Sequence, residues 1–229
     1  MTRTAWWVRL DGVCYILDLD NGKIRRLAVD GTMTTLFAVP AASTPAAACG
    51  SPTTSGTPSS PRAPRSSSGT PTSACAFRAR FSSLANLVLD PDGKVVAVSA
   101  DRGVNCIFRL AADGSAAIIA GNGLIDGGGD GQLAVDTGLN EVRAVWFVDT
   151  GGYLVGTHEG NQVWYVDTKG VIHLFVDGGD NHAHSGDGLY FKSPGKKVSE
   201  VRAITLDHQG NILITENDYG YVRAVLRRK

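Results

Sequence analysis

The chain has 229 residues, 22 of them basic and 22 acidic, so its formal net charge is zero. That balance gives no electrostatic case for nucleic acid or an anionic membrane surface, and no run of about 18 apolar residues offers a membrane-spanning helix. Cys14, Cys49, Cys75 and Cys106 are widely spaced, without metal-type Cys-x-x-Cys pairing, and read as buried or incidental thiols.

Taken in chain order, the predicted elements are short strands punctuated by Gly and Asp. Residues 1–40 read as a first blade, with strands Ala5–Leu10, Val13–Asp18, Lys23–Ala28 and Met33–Val39 and hairpin turns at Asn21-Gly22 and Asp30-Gly31. Its N-terminal stretch, Met1–Trp7, lacks an apolar core, so no secretory signal is expected there.

Residues 41–80 are a low-complexity segment; positions 41–76 contain only Ala, Ser, Thr, Pro, Cys, Gly and Arg. One reading is a linker, whose composition cannot bury a core. The other is a frameshifted blade. All seven residue types have codons with G or C at the second base, the product expected when wobble positions of a GC-rich gene are read as second positions. In the shifted frame, residues from Cys49 onward can be written as a strand, an Asp turn and two further strands. The interval from Asp11 to Asp90 has room for one such unit.

Residues 81–120 give the next blade: Ala85–Leu89, Val95–Ser99, Val104–Leu110 and Ala116–Ala120. A Gly/Asp loop follows at 121–140, then a blade at 141–177 with strands Ala144–Val148, Tyr153–Thr157, Gln162–Val166 and Val171–Val176. A Gly/His/Asp loop fills 178–198, and 199–229 supplies only three strands: Ile204–Leu206, Ile212–Thr215 and Tyr221–Val225. Helical periodicity is absent throughout.

These units repeat. Leu87-Val-Leu-Asp90, Val145-Trp-Phe-Val-Asp149 and Ile204-Thr-Leu-Asp207 align, and each later copy is preceded by the same tetrapeptide, Glu141-Val-Arg-Ala144 or Glu200-Val-Arg-Ala203. A repeat of tens of residues built from four short antiparallel strands is the mark of an all-β propeller, here a single domain with four to five blades present. Because the last unit lacks a fourth strand, the chain reads as part of a propeller.

The stretch Cys14-Tyr-Ile-Leu-Asp-Leu-Asp-Asn-Gly-Lys-Ile-Arg-Arg-Leu-Ala-Val-Asp-Gly-Thr32 resembles an NHL repeat, in which an Asp turn and an Asn-rich hairpin lead into an Ile-Arg strand. Ala120-Gly-Asn-Gly123 and Ser185-Gly-Asp-Gly188 are similar to the inter-repeat loops of bacterial NHL proteins. The resemblance implies a six-bladed parent, a binding platform, and a family whose members are often secreted. Calcium-dependent lactonases and lyases of similar shape supply the alternative activity, and with it calcium as the cofactor to consider; a damaged gene without a functional product is the remaining alternative.

Residues entering inner strands face a propeller's channel, so Glu141, Arg143, Glu200 and Arg202 are candidate ligand contacts or, as a repeated motif favours, fasteners between blades. His158 and Glu159 stand in the turn after a second strand, where Glu216-Asn217-Asp218 recurs. Asp177, Asp180, His182, His184 and Asp187 share one Gly-rich loop and could hold a metal, and Asp126–Gly131 is a calcium candidate that matches neither an EF-hand loop nor the calcium nonapeptide repeat. No nucleophile elbow, phosphate loop or dinucleotide fingerprint occurs. The expected role is therefore a non-catalytic scaffold for a protein or small-molecule ligand. Sequencing genomic DNA across codons 41–76 separates the two readings of that segment: codons unable to encode the blade string in the shifted frame leave the linker.

Overall fold

One kind of turn sets the strand lengths. The N–H of its first residue donates to the carbonyl of its fifth, and a left-handed Gly at the fourth position donates back to the first. It recurs at Ala28–Thr32, Val148–Gly152, Asp167–Val171 and Asp207–Asn211, with Gly31, Gly151, Gly170 and Gly210 at φ of 83, 90, 79 and 78°. Where the first residue is Asp, its carboxylate takes two further backbone protons: Asp207 Oδ1 accepts from Gln209 N at 2.8 Å and Asn211 N at 2.9 Å. Val148, not Asp149, occupies this position in its own turn. The sequence alignment of Asp149 with Asp207 is thus one residue out of step.

The computed structural model describes residues 4–8, 12–18, 21–38, 84–91, 96–100, 104–111, 115–179, 182–190 and 193–227; the segment at 41–76 lies outside them. Four antiparallel meanders result. The first is β1 (Thr4–Val8), β2 (Cys14–Asp18), β3 (Lys23–Leu27) and β4 (Met33–Ala38); the second is β5 (Leu84–Leu89), β6 (Val96–Ala100), β7 (Cys106–Leu110) and β8 (Ala116–Ala120). The third is β9 (Val142–Phe147), β10 (Tyr153–Thr157), β11 (Gln162–Val166) and β12 (Ile172–Asp177); the last is β13 (Val201–Leu206), β14 (Ile212–Glu216) and β15 (Tyr221–Val225). The innermost strands β1, β5, β9 and β13 neighbour one another in that order. This is a β-propeller built of radial sheets.

The inner strands begin earlier than expected, at Val142 and Val201 rather than Ala144 and Ile204. The cause is a bulge. Val142 pairs with Thr157 and Ala144 with Gly156, leaving Arg143 unpaired; Arg202 is skipped in the same way between Val201 and Ala203. A bulge re-aims the side chain it displaces. The Glu-Val-Arg-Ala tetrapeptide is therefore a backbone device: a fully buried Val on each side of the repeat, then a bulged Arg.

The apolar cores lie between blades rather than within them. Leu17 and Ile24 pack on Leu84, Leu87 and Phe108; Val88 and Ile107 pack on Val145, Val155 and Trp164; Ala144 and Leu154 pack on Val201, Ile204 and Ile214. Strand β10 is consequently buried at every residue, because both faces of its sheet are covered. The long loop after β8 is part of this packing. Leu139 and Ala134 enter the core, and Leu133 bridges to Val171 of the next blade. The other long loop carries a bridge from Ser185 to Lys197.

Gly121 opens the first long loop at φ 89°, and a Cβ there would lie 2.1 Å from the Asn105 carbonyl oxygen. Gly31 has a similar φ of 83° with open space around it. Gly31→Ala should cost about 1 kcal/mol from backbone strain alone, and Gly121→Ala about 3 kcal/mol or more from strain plus overlap. In thermal melts that is a difference of roughly 4 °C or more for a chain of this size. Equal losses from the two variants would show that the close approach of the strand to Gly121 is not needed.

Candidate functional site

Two blade junctions are built alike. Asn105 and Asn161 each adopt a left-handed backbone, at φ 48 and 50°. Asn tolerates that region best among residues other than Gly. Their side-chain oxygens accept the backbone N–H of Glu141 and Glu200 in the next blade, at 3.0 and 2.8 Å. Glu141 and Glu200 are themselves left-handed, at φ 52 and 40°. Such strain persists only where the surroundings over-determine it. The carbonyls of the same two residues accept N–H from His158 and Asn217, at 2.9 and 3.1 Å. His158 and Asn217 are therefore equivalent positions.

This framework converges Glu141, Arg143, His158, Glu159 and Glu200, the first five of the ligand-contact candidates to be placed. Arg143 Nη2 lies 3.1 Å from Glu141 Oε2. The His158 side chain is 6% exposed; its Nδ1 lies 3.0 Å from Glu141 Oε2 and 3.3 Å from Glu159 Oε1, and its Nε2 lies 2.9 Å from Glu200 Oε2. Neither ring nitrogen has a hydrogen-bond partner in line. Asn217 donates to Glu200 Oε2 at 2.7 Å, from the place that His158 fills one blade earlier. Arg202, the bulged residue of the last blade, is half-buried.

The proposed metal loop divides. His182 Nδ1 lies 3.2 Å from Asp218 Oδ2 and 3.8 Å from Glu200 Oε1, and so joins the rim of the cluster above. Burial pushes the Asp218 carboxyl up, but hydrogen bonding with Ser199 Oγ, Glu200 and His182 together outweighs it and holds the group below the usual carboxylate range. His184 turns elsewhere, with Nδ1 at 2.9 Å from Glu216 Oε2 and Nε2 at 2.9 Å from Asp187 Oδ2. Asp177 accepts the N–H of Gly179 in its own turn, and Asp180 lies outside the described residues. In the other loop Asp130 Oδ1 accepts Leu174 N–H at 2.9 Å. Among the described residues, both groupings of side chains with metal-ligand spacing contain an imidazole; no carboxylate-only set suited to calcium is gathered.

Sequence reasoning missed the ion pair beneath His184. Glu216 has no side-chain exposure, and its Oε1 lies 3.1 Å from Arg223 Nε, while Oε2 accepts Ser199 N–H at 3.0 Å. Tyr221 and Tyr219 flank His184, with ring centroids 4.6 and 5.9 Å away. The available signal was Glu216 standing where the preceding blade has Thr157, at a buried strand position. Asn105 and Asn161 were also missed, although both directly precede or open a third strand. Of the cysteines, Cys106 is buried, which pushes its thiol up to about 11 and fits an inert packing role.

No family model matches the chain, and no curated protein matches it significantly. Solved structures do. A Bacteroides thetaiotaomicron protein of unknown function matches with a TM-score of 0.64 at 12% identity, over 93% of this chain and 44% of that one. An auxiliary nutrient binding protein from the same organism matches with a TM-score of 0.60 at 13% identity, over 94% and 45%. A streptogramin B lyase matches with a TM-score of 0.50 at 14% identity, over 95% and 52%. At these identities the likeness establishes the propeller fold, and this chain spans about half the length of the proteins it resembles.

His184 gives a pH signature. Burial pulls the ring's pKa down, but its hydrogen bonds to Glu216 and Asp187 outweigh that and raise it above 6.5. A raised folded-state value means the stabilisation is full below the unfolded value and fades as pH climbs through the folded one. The gap in melting temperature between the native chain and His184→Gln should therefore narrow from pH 6 to pH 8. A gap that stays constant would mean that His184 contributes packing against the tyrosines and no charge.

Proposed function

We propose that the chain is an NHL-like propeller acting as a non-catalytic binding scaffold, whose ligand meets the loop face over His158. The observation that carries this reading is the junction of two blades at one buried imidazole. Glu141 and Glu159 approach it from one blade and Glu200 from the next, with His182 and Asp218 at the rim. A few convergent polar groups of this kind can fix the orientation of a ligand. Four carboxylates gathered with the guanidinium of Arg143 favour a cationic or hydroxyl-rich small molecule over an anion.

The likeness to a nutrient binding protein supports the same reading, and the likeness to a lyase supports a second. An imidazole set between Glu141 and Glu200 is a competent general base, so a lyase or hydrolase acting on a lactone is the other activity this geometry could serve.

Calorimetric titration with glucosamine, glucose and glucuronic acid, in buffer containing a chelator, tests the scaffold reading. The amino sugar should bind most tightly and the acid least, and Glu200→Gln should weaken the amino sugar by roughly tenfold. The reverse order, or no binding by any of the three, counts against it. Turnover of gluconolactone that disappears in His158→Gln would select the enzyme instead.

A further inference from the structure

We infer that Glu141, His158 and Glu159 form a binding site for one divalent transition-metal ion, with His158 Nδ1 and one carboxylate oxygen from each Glu as ligands. The inference rests on the reading of the loop-face cluster as the binding site, and it names what that cluster holds.

The geometry around Nδ1 is the first argument. Two carboxylate oxygens, from Glu141 and Glu159, lie within 3.3 Å of one ring nitrogen, and the three atoms belong to a set all within 4.8 Å of one another. A ring nitrogen carries at most one proton and can satisfy one acceptor well. Neither approach is in line for a hydrogen bond, although the ring is more than nine-tenths buried. A buried polar group is normally paired, so these three donors face a place that a cation would fill.

The opposite side of the ring is the second argument. An imidazole that binds a metal through one nitrogen characteristically directs the other at a carboxylate, which fixes the tautomer. Glu200 Oε2 stands 2.9 Å from Nε2, out of line for a hydrogen bond but on the side of the ring where such a carboxylate is wanted, and Asn217 holds that same oxygen at 2.7 Å. Arg143 in turn holds Glu141 Oε2 at 3.1 Å. The backbone beneath is rigid: Asn105 caps the Glu141 N–H, and the Glu141 carbonyl receives the N–H of His158.

Donor type decides the metal. One imidazole with two carboxylates suits zinc, manganese or iron, whereas calcium prefers six to eight oxygen ligands. The Glu159 side chain is 44% exposed, so the three protein ligands leave the solvent side open for a hydroxyl or amine of the bound molecule. His182, Glu200 and Asp218 border that opening.

The test is calorimetric titration of Zn²⁺ into the full chain after stripping with a chelator, with Co²⁺ absorption in the visible as a second readout of imidazole coordination. One ion per chain should bind saturably, Zn²⁺ more tightly than Ca²⁺. His158→Gln and Glu159→Gln should each weaken Zn²⁺ by roughly tenfold or more, while His173→Gln, on the outer strand of the same blade, should bind as the native chain does. Glu159 is exposed, so its variant decides the matter even where His158→Gln fails to fold. The inference is overturned by unsaturable binding, by a preference for Ca²⁺, by native-like affinity in the Glu159→Gln chain, or by equal loss in His173→Gln. Because the sugar titrations are run with chelator present, loss of metal binding with sugar binding retained removes only this inference. Metal binding without any sugar binding removes only the scaffold reading.

Discussion

The hydrogen bond from the Glu200 backbone to the Asn161 side chain, and its twin from Glu141 to Asn105, is the constraint on which the site depends. It crosses from one blade to the next and is formed here with donor and acceptor residues both outside the ordinary backbone regions. Four left-handed residues other than Gly are held in this way. Each would cost of order 1 kcal/mol or more in isolation. The apolar contacts between blades offset that cost, since Val142 and Val201, beside the strained Glu residues, are fully buried. Packing between sheets thus fixes the entry point of each inner strand, and the entry point fixes where the glutamate points.

The bulge extends the same logic. Skipping Arg143 in the ladder changes which face the following residues present, so Val142 and Ala144, two apart in the strand, reach opposite cores. A strand without the bulge would send Val142 and Ala144 to the same side, leaving one of the two cores short of a residue. The tetrapeptide that recurs in the sequence is therefore explained first as architecture. Its glutamates also touch His158, so architecture and site share residues rather than competing for them.

Much of the fold was legible because turn chemistry is local. Strands β10, β11 and β15 fall where alternation and Gly/Asp turns put them, and the repeat identified the propeller without any relative. What was not legible depended on register. Asp149 looks like Asp207 in a one-dimensional alignment, yet the turn closes on Val148, because the fourth position must be Gly and Gly151 sets the count. The candidate site was half visible. Glu141, Glu200 and His158 were singled out separately, but their meeting across a blade junction depends on the Asn caps, which look in sequence like ordinary turn residues. His182 and His184 sit two apart in one loop and face different carboxylates, a division that spacing alone does not reveal.

The equivalence of His158 and Asn217 reaches beyond this pair. Both residues are fixed by an identical backbone bond to the glutamate that opens their own blade, so their backbone placement does not depend on which side chain is carried there. Two blades of the propeller thereby offer the same backbone socket, filled by an imidazole in one and an amide in the next. A substitution at this position therefore changes the polar groups presented at a junction while the Asn–Glu bond that sets the strand entry stays in place.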